Sequence, residues 1–318
     1  MSKRIDAKQA AERLLEQRDI LIITHKNPDG DAIGSACALH EALKIKGIRS
    51  AVINNTPPRE LYGYLLDGRC YEPGFEPKFI MAVDTAAENM LGDNLAQYAG
   101  KVQLCIDHHP SNSEYADELL LDAGAASCAE IICRVVDAMG VEINPYIADA
   151  IYTGAATDTG CFKYSNTTAE THRTAARMME AGCDYARLNK LLFETRSKGR
   201  MKLESMAIDG MEFALNDKIA FVTVTQKMLD ETGCDAAAIE GITPLSRMVK
   251  GVEAGVTLRQ LKNKTWKVSV RTVTIDASKI CAAFGGGGHV RASGFESALD
   301  EHEIKAKVTE LVAQMVNA

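Results

Sequence analysis

The sequence lacks the features that mark membrane and secreted proteins. No apolar run approaches the length of a membrane helix, and the charged first residues, 1–6, contain no apolar signal core. The nine cysteines are scattered, and none forms a Cys-x-x-Cys pair. A disulfide framework or a thiolate zinc site is therefore not indicated. We expect a cytoplasmic protein with reduced, mostly buried cysteines and no membrane partner.

An excess of basic residues is also missing. The chain has 36 Lys and Arg against 43 Asp and Glu, a formal net charge of −7. This balance disfavours a broad basic surface for long duplex DNA. The net charge does not exclude a short oligonucleotide bound by a few arginines. Carboxylates gathered around metal ions would also make the formal charge misleading.

The first half of the chain alternates between strand and helix patterns. Apolar runs bounded by turn residues predict strands over 19–24, 50–53, 78–84, 102–107 and 118–122. Helical spacing predicts helices over 32–46, 127–139, 145–157 and 168–181, the last opened by a capping box of Thr167 and Glu170. This alternation predicts an α/β fold with a doubly wound, mostly parallel sheet.

The pattern changes in the second half. A charge-rich helical stretch, Asp184–Met206, is poor in glycine and proline and predicts a stiff connector. Strand patterns at 218–225, 252–258 and 266–273, with helices at 277–284 and 301–315, predict a smaller α+β domain. We therefore predict two domains, 1–185 and 207–318, joined by a helical linker over 186–206.

Polar residues follow several predicted strands at the point where each strand ends. His25 follows the first strand, Asp84 ends another, and Asp107-His108-His109 ends a third. The turn after the first strand adds Asp29 and Asp31. Because ligands of open α/β sheets bind beyond the carboxyl ends of the strands, these side chains are expected in one crevice. Asp158 lies in a Thr-Asp-Thr-Gly segment, where a helix cap or turn residue is the plainer interpretation.

Taken together, four carboxylates and three histidines without a thiolate indicate a metal site. This set suits Mn²⁺ or Mg²⁺, with Zn²⁺ or Fe²⁺ as alternatives. It suffices for two divalent ions that share a bridging carboxylate at roughly 3.5–4 Å. Since two such ions carry a charge that four aspartates neutralise, extra donors are needed to bind a phosphate. The residues of this set are His25, Asp29, Asp31, Asp84, His108, His109 and Asp158.

A glycine run in the second half offers such donors. Gly285–Gly288 is followed at once by His289, Arg291 and Ser293, and Arg271 ends a predicted strand. Exposed backbone N–H groups beside an imidazole and a guanidinium suit an anion cradle. A glycine run alone is more often a flexible turn, and the adjoining cations favour the cradle.

These residues resemble the motifs of a known family. The segment Gly285–Phe295 resembles the glycine-rich motif of the DHH-associated C-terminal domain. The four preceding motifs are similar to those of DHH-superfamily phosphoesterases: His25-x3-Asp29-x-Asp31, Asp84, Asp107-His108-His109 and Asp158. The resemblance spans nearly the whole chain. It is strongest to the oligoribonuclease (nanoRNase) branch, whose members also remove the 3′-phosphate of 3′-phosphoadenosine 5′-phosphate.

The resemblance implies a role for each residue. His25 and Asp29 would hold one of two divalent ions, Mn²⁺ foremost, and Asp31, His108 and Asp158 the other, with Asp84 bridging. Asp107 would orient the neighbouring imidazole, and His109 would contact the scissile phosphate and assist protonation. The active site would lie in the cleft between the domains. The residues implied in substrate binding are Arg271, Gly286, Gly287, Gly288, His289, Arg291 and Ser293.

The implied substrates are short RNA oligonucleotides and nucleotide bisphosphates. Three related kinds of enzyme fit this sequence less well. A pyrophosphatase should lack the glycine run, and a RecJ-like exonuclease is usually longer. A cyclic-dinucleotide phosphodiesterase usually carries membrane and sensory segments. A phosphodiesterase of linear or cyclic dinucleotides and a non-catalytic nucleotide- or RNA-binding protein remain the alternatives. Metal identity, polarity of attack and oligomeric state, a homodimer included, are left open.

Overall fold

The computed structural model describes residues 2–53, 60–66, 74–239 and 241–316. The chain forms two compact units, Met1–Thr195 and Arg196–Ala318. The domain limits expected from the sequence, at 185 and 206, stay a prediction. Within the described ranges, no helix is long and apolar enough to cross a membrane.

The first unit is built on a six-stranded sheet in which all neighbouring strands are parallel. The strand order is β1-β6-β5-β4-β2-β3. The strands are β1 (Lys3–Arg4), β2 (Ile20–Ile23), β3 (Ser50–Ile53), β4 (Phe79–Val83), β5 (Leu104–Asp107) and β6 (Glu118–Leu121). The helices are α1 (Ala7–Leu15), α2 (Gly30–Ile45), α3 (Gly63–Leu66), α4 (Cys128–Ala138), α5 (Pro145–Asp158), α6 (Ala169–Glu180) and α7 (Tyr185–Asn189). The predicted mostly parallel α/β fold is confirmed.

Both faces of this sheet are buried, which explains why its strands are continuous apolar runs. In β2, Ile20 and Ile22 pack in a core that contains side chains of α1, α2, α4 and α5. Leu21 and Ile23 point the other way, into a second cluster with residues of the segment between β4 and β5.

Two glycines let the helices of the first unit approach one another closely. A Cβ atom on Gly34 of α2 would lie 2.3 Å from the carbonyl oxygen of Ala150 in α5. A Cβ atom on Gly154 of α5 would lie 2.7 Å from Oδ1 of Asp31 and 2.5 Å from Cβ of Ala129 in α4. Three helices therefore meet at Asp31, with room only for glycine between them.

The second unit contains a mixed six-stranded sheet of order β11-β12-β10-β9-β8-β7. Only β8 and β9 pair in parallel. Its strands are β7 (Glu212–Ala214), β8 (Ile219–Val224), β9 (Ala254–Gln260), β10 (Trp266–Thr272), β11 (Gly287–His289) and β12 (Ala292–Ser297). Its helices are α8 (Lys198–Asp209), α9 (Gln226–Thr232), α10 (Ala277–Ala282) and α11 (Glu301–Val316). One face of the sheet packs in a core with α10 and α11.

Some local expectations were wrong. The helical stretch predicted over 184–206 is interrupted, because the chain leaves the helix at Thr195 and Ser197 caps α8 through the N–H of Arg200. The capping box before α6 is formed by Thr168 and Thr171, one residue later than the predicted pair. The eight described cysteines are free, as expected, and Cys70 lies outside the described residues.

Candidate metal centre

The topology of the first sheet brings two of the polar loops together. After β2 the chain forms β3 on one side and then returns to place β4 on the other side of β2. Loops at such a switch of strand order diverge and leave a crevice at the carboxyl ends. His25 follows β2 and Asp84 follows β4 at this point, and His25 Nε2 lies 3.7 Å from Asp84 Oδ2.

Asp84 is the centre of the cluster. Its side chain is 3% exposed, and its Oδ1 lies 3.5 Å from His108 Nε2 and 3.6 Å from His109 Nδ1. Within the described ranges this buried Oδ1 has no hydrogen-bond partner. The backbone of Asp84 is left-handed, with φ of 52°. A strained residue with an unsatisfied buried oxygen fits a ligand position for a cation.

Asp31 is held in place by the beginning of α4. Its buried carboxylate accepts the N–H of Cys128 at 2.6 Å on Oδ2 and the N–H of Ala129 at 2.9 Å on Oδ1. Ser35 Oγ also donates to Oδ1, at 3.2 Å. These amides are the first donors of α4, which lack partners inside the helix and favour negative charge. The helix thereby aims Asp31 at His108.

His108 joins three carboxylates. Its Nε2 lies 3.5 Å from Asp84 Oδ1, 3.5 Å from Asp158 Oδ2 and 3.9 Å from Asp31 Oδ2. Three overlapping groups have ligand atoms within 4.8 Å of one another, and each group could hold a metal ion. They are Asp84 with His108 and His109, His25 with Asp29 and Asp84, and Asp31 with His108 and Asp158.

Asp107 lies behind the histidines. It is fully buried, and its Oδ1 lies 2.7 Å from His109 Nδ1 and accepts the backbone N–H of His108 at 2.9 Å. Its Oδ2 accepts Asn112 Nδ2 at 2.7 Å. A proton on Nδ1 of His109 is thereby fixed, and Nε2 is the ring nitrogen left for a ligand.

The cluster is electrostatically unbalanced without cations. Burial alone would lower the pKa of His108, but the nearby carboxylates, Asp84 first, raise it to about 10. The pKa of His25 is raised to about 9 because Asp84 and Lys26 O outweigh the effect of burial. Burial raises the pKa of Asp158 to about 6 and that of Asp31 well above its usual range. The imidazoles and carboxylates of the cluster therefore hold protons, and divalent ions would displace those protons on binding.

All eight site residues predicted in the first half lie in this cluster or directly against it. Asp29 caps α2, where its Oδ1 accepts the N–H groups of Asp31 and Ala32 at 3.0 and 3.1 Å. The sequence analysis missed two parts of the site, namely the side chain of Asn112 and the first backbone amides of α4. The predicted helix start at Ser127 was a usable signal for those amides, and Asn112 carries no local signal.

The residues predicted in the second unit lie on or beside the β11–β12 hairpin. Gly286 donates its N–H to Cys281 O at 2.9 Å, so that amide is already occupied. Gly288 has φ of 143°, and a Cβ there would lie 2.8 Å from Ala292 O, so only glycine fits. Ser293 Oγ donates to His289 O at 2.8 Å, and Arg291 Nη1 donates to Ile275 O at 2.7 Å.

Comparison with known proteins identifies the family. A profile described as "DHH family, N-terminal domain" matches residues 19–155. The bifunctional oligoribonuclease and PAP phosphatase NrnA of Thermus thermophilus is 31% identical over 302 residues, covering 93% of this chain and 89% of that protein. This chain belongs to the DHH phosphoesterase family. It is therefore a hydrolase of phosphoester bonds, as the sequence motifs predicted.

Two further comparisons bear on the family and on the fold, respectively. The protein of the same name from Bacillus subtilis is 27% identical to this DHH protein, over 86% of this chain and 88% of that one. An exopolyphosphatase-related protein from Bacteroides fragilis has a similar structure, with a TM-score of 0.86 at 24% identity, covering 96% of this chain and 94% of that one. At that identity the likeness supports the fold alone.

Proposed function

We propose that this DHH protein hydrolyses short RNA oligonucleotides to mononucleotides and removes the 3′-phosphate of 3′-phosphoadenosine 5′-phosphate. One observation carries the proposal. The unsatisfied Oδ1 of Asp84 lies among histidines and aspartates that form three candidate metal groups. This arrangement occurs in a chain similar over 93% of its length to a protein named for both activities.

The donor set supports a two-ion site. His25 and Asp29 would hold one ion, Asp31, His108 and Asp158 the other, and Asp84 would bridge them. Oxygen and imidazole donors without a thiolate suit Mn²⁺, with Mg²⁺ as the next candidate. When bound, the ions would supply Lewis-acid stabilisation of charge on the phosphate oxygens.

The chain's own residues supply positioning and proton transfer. Asp107 holds His109 through Nδ1, so that Nε2 can contact the scissile phosphate or protonate the leaving oxygen. The same bond raises the pKa of His109 and thereby favours the protonated imidazole. A protonated imidazole is the form needed to donate a proton.

The second unit would bind the part of the substrate that does not react. Arg271, His289 and Arg291 supply cations, and Gly287, Gly288 and Ser293 line the hairpin beside them. The amide of Gly286 would contribute only if its bond to Cys281 opened. We also infer a cytoplasmic location, because eight free cysteines are typical of a reducing compartment.

A hydrolysis assay tests the proposal. The protein with Mn²⁺ is incubated with RNAs of two to five nucleotides, with an RNA of two dozen nucleotides, and with 3′-phosphoadenosine 5′-phosphate. We expect the short RNAs to be shortened one nucleotide at a time, much faster than the long RNA, and phosphate to be released from the bisphosphate. Asp84→Asn is the control for contaminating nucleases. Equal rates per end on long and short RNAs, or no hydrolysis of either substrate class, would contradict the proposal.

A further inference from the structure

A basic pocket lies within the second unit, on the sheet face opposite the core formed with α10 and α11. Its volume is about 440 Å³. Among the residues that the structure describes, its lining contains three cations, three hydroxyls and no carboxylate, with two apolar residues as part of one wall. The lining residues are Ile239, Thr243, Pro244, Thr257, Arg259, Lys267, Ser269 and Arg271.

Strand register explains why these side chains share one face. Residues paired directly across neighbouring strands point to the same side of a sheet. Lys267 pairs with Arg259, and Ser269 pairs with Thr257. The alternate residues of β10, Val268 and Val270, point into the hydrophobic core. We call the Arg259–Lys267 pair the outer row.

A second row crosses the same face four residues away along β10. Arg271 pairs with Ala292 of β12, and Ala292 pairs with His289 of β11. We call this the inner row. At about 3.3 Å per residue, the two rows are separated by roughly 13 Å. The inner row contains residues already proposed to bind substrate, whereas the outer row has had no role so far.

Thr257 lies on the floor between the rows and lacks a partner. It is 2% exposed, and within the described ranges its Oγ1 forms no hydrogen bond. A buried hydroxyl without a partner destabilises the fold unless a ligand or water satisfies it. Because this hydroxyl lines the pocket, it indicates that a polar ligand belongs there.

The cations of the pocket also lack ion pairs, although Glu296 of β12 pairs with Lys267 in the sheet register. Across the described ranges, Arg259, Lys267 and Arg271 form no ion pair with a carboxylate. Burial, followed by the charge of Arg247, lowers the pKa of Arg271. Three cations beside the single carboxylate of Glu296 leave a net positive charge, which favours an anionic ligand.

We propose that the outer row, with Thr257, is a subsite for a backbone phosphate of RNA several nucleotides from the phosphate bound at the inner row. The inference rests on the proposed function. A stacked strand rises by about 3.4 Å per nucleotide, so 13 Å corresponds to roughly four nucleotides. A tetra- or pentanucleotide reaches the outer row, whereas a dinucleotide or a nucleotide bisphosphate does not. The subsite thus selects substrates by length.

The test compares KM for a pentanucleotide with KM for 3′-phosphoadenosine 5′-phosphate. The variant Arg259→Gln/Lys267→Gln should raise KM for the pentanucleotide roughly ten- to a hundredfold, the loss typical of charge-assisted contacts. The KM ratio of the two substrates should change by the same factor. The slope of log KM against log salt for the pentanucleotide should fall by about 0.7, since the contact to one phosphate is lost.

A matched control separates this effect from net charge. Lys262→Gln/Lys279→Gln removes two exposed cations of the same unit and should leave both the KM ratio and the salt slope as in the wild type. Thr257→Val keeps the side-chain shape and should raise KM for the pentanucleotide roughly two- to tenfold.

The outcomes are distinguishable. If the wild-type protein with Mn²⁺ hydrolyses neither substrate, the proposed function is wrong. If it hydrolyses both and the Arg259/Lys267 variant keeps the wild-type KM ratio, the length subsite is wrong and the proposed function stands. A Thr257→Val protein that melts at a higher temperature with an unchanged KM would also contradict the subsite.

Discussion

Replacing Asp107 with asparagine should remove most hydrolysis while leaving the metal in place. Asp107 accepts from His109 and from the backbone of His108 on Oδ1, and from Asn112 on Oδ2. Asparagine keeps the size of the side chain but turns one acceptor into a donor. Whichever way the new amide is turned, its NH₂ group meets another donor.

The structure sets the size of the effect. Asn112 cannot invert without loss, because its Oδ1 accepts the N–H of Glu114 at 2.8 Å. A lost charge-assisted bond to His109 costs about 1.5–3 kcal/mol, which corresponds to a roughly ten- to hundredfold lower kcat. The pKa of His109, which Asp107 raises, should fall. The alkaline limb of the kcat profile should then move to lower pH, because the imidazole loses its proton earlier.

A second variant separates catalysis from folding. In Asp107→Asn/Asn112→Asp, the new carboxylate accepts from the new amide and still accepts the N–H of Glu114. Thermal stability should therefore recover, while kcat stays low, and metal content measured by elemental analysis should equal that of the wild type in both variants. Recovery of kcat together with stability would refute a role for Asp107 in positioning His109, as would wild-type kcat in the single variant.

Three further predictions concern the charges. Asp84→Asn should lower the metal content and abolish hydrolysis, while circular dichroism shows an intact fold. Wild-type turnover at saturating Mn²⁺ would show that Asp84 is not a metal ligand. In metal-free protein, the raised pKa of His25 stabilises the fold fully below pH 6.5. That contribution disappears as the pH passes about 9, so the Tm measured by calorimetry should fall between pH 7 and 10. A constant Tm would contradict the raised pKa of His25. Arg271→Ala should weaken cleavage of nucleotides roughly ten- to hundredfold and spare bis-p-nitrophenyl phosphate; equal loss of both would indicate a structural role.

The strands and the residues at their tips were accessible from the sequence because a buried parallel strand is a short apolar run that ends abruptly. The run before Asp84 is an example, and its predicted limits differ from β4 by one residue at each end. The same reasoning located His25 and Asp107. These positions depend on local pattern and on a general rule about parallel sheets, so tertiary detail was not needed.

Features that depend on distant partners were missed. The strand β1 has only two residues and exists through its pairing with β6, more than a hundred positions away. The strand β12 begins beside a glycine run and is formed by pairing with β10 and β11. Asn112 reaches Asp107 only because the loop after β5 folds back. No local periodicity encodes such contacts.

The close approach of α2 and α5 has a consequence for how the protein responds to its ions. Asp31 lies at the beginning of α2 and Asp158 at the end of α5, so a cation bound by both would act as a cross-link between the two helices. Ion binding would then raise the free energy of unfolding, by about 2.7 kcal/mol at an ion concentration a hundred times Kd. The amide hydrogens of these two helices should exchange more slowly once the ion is bound.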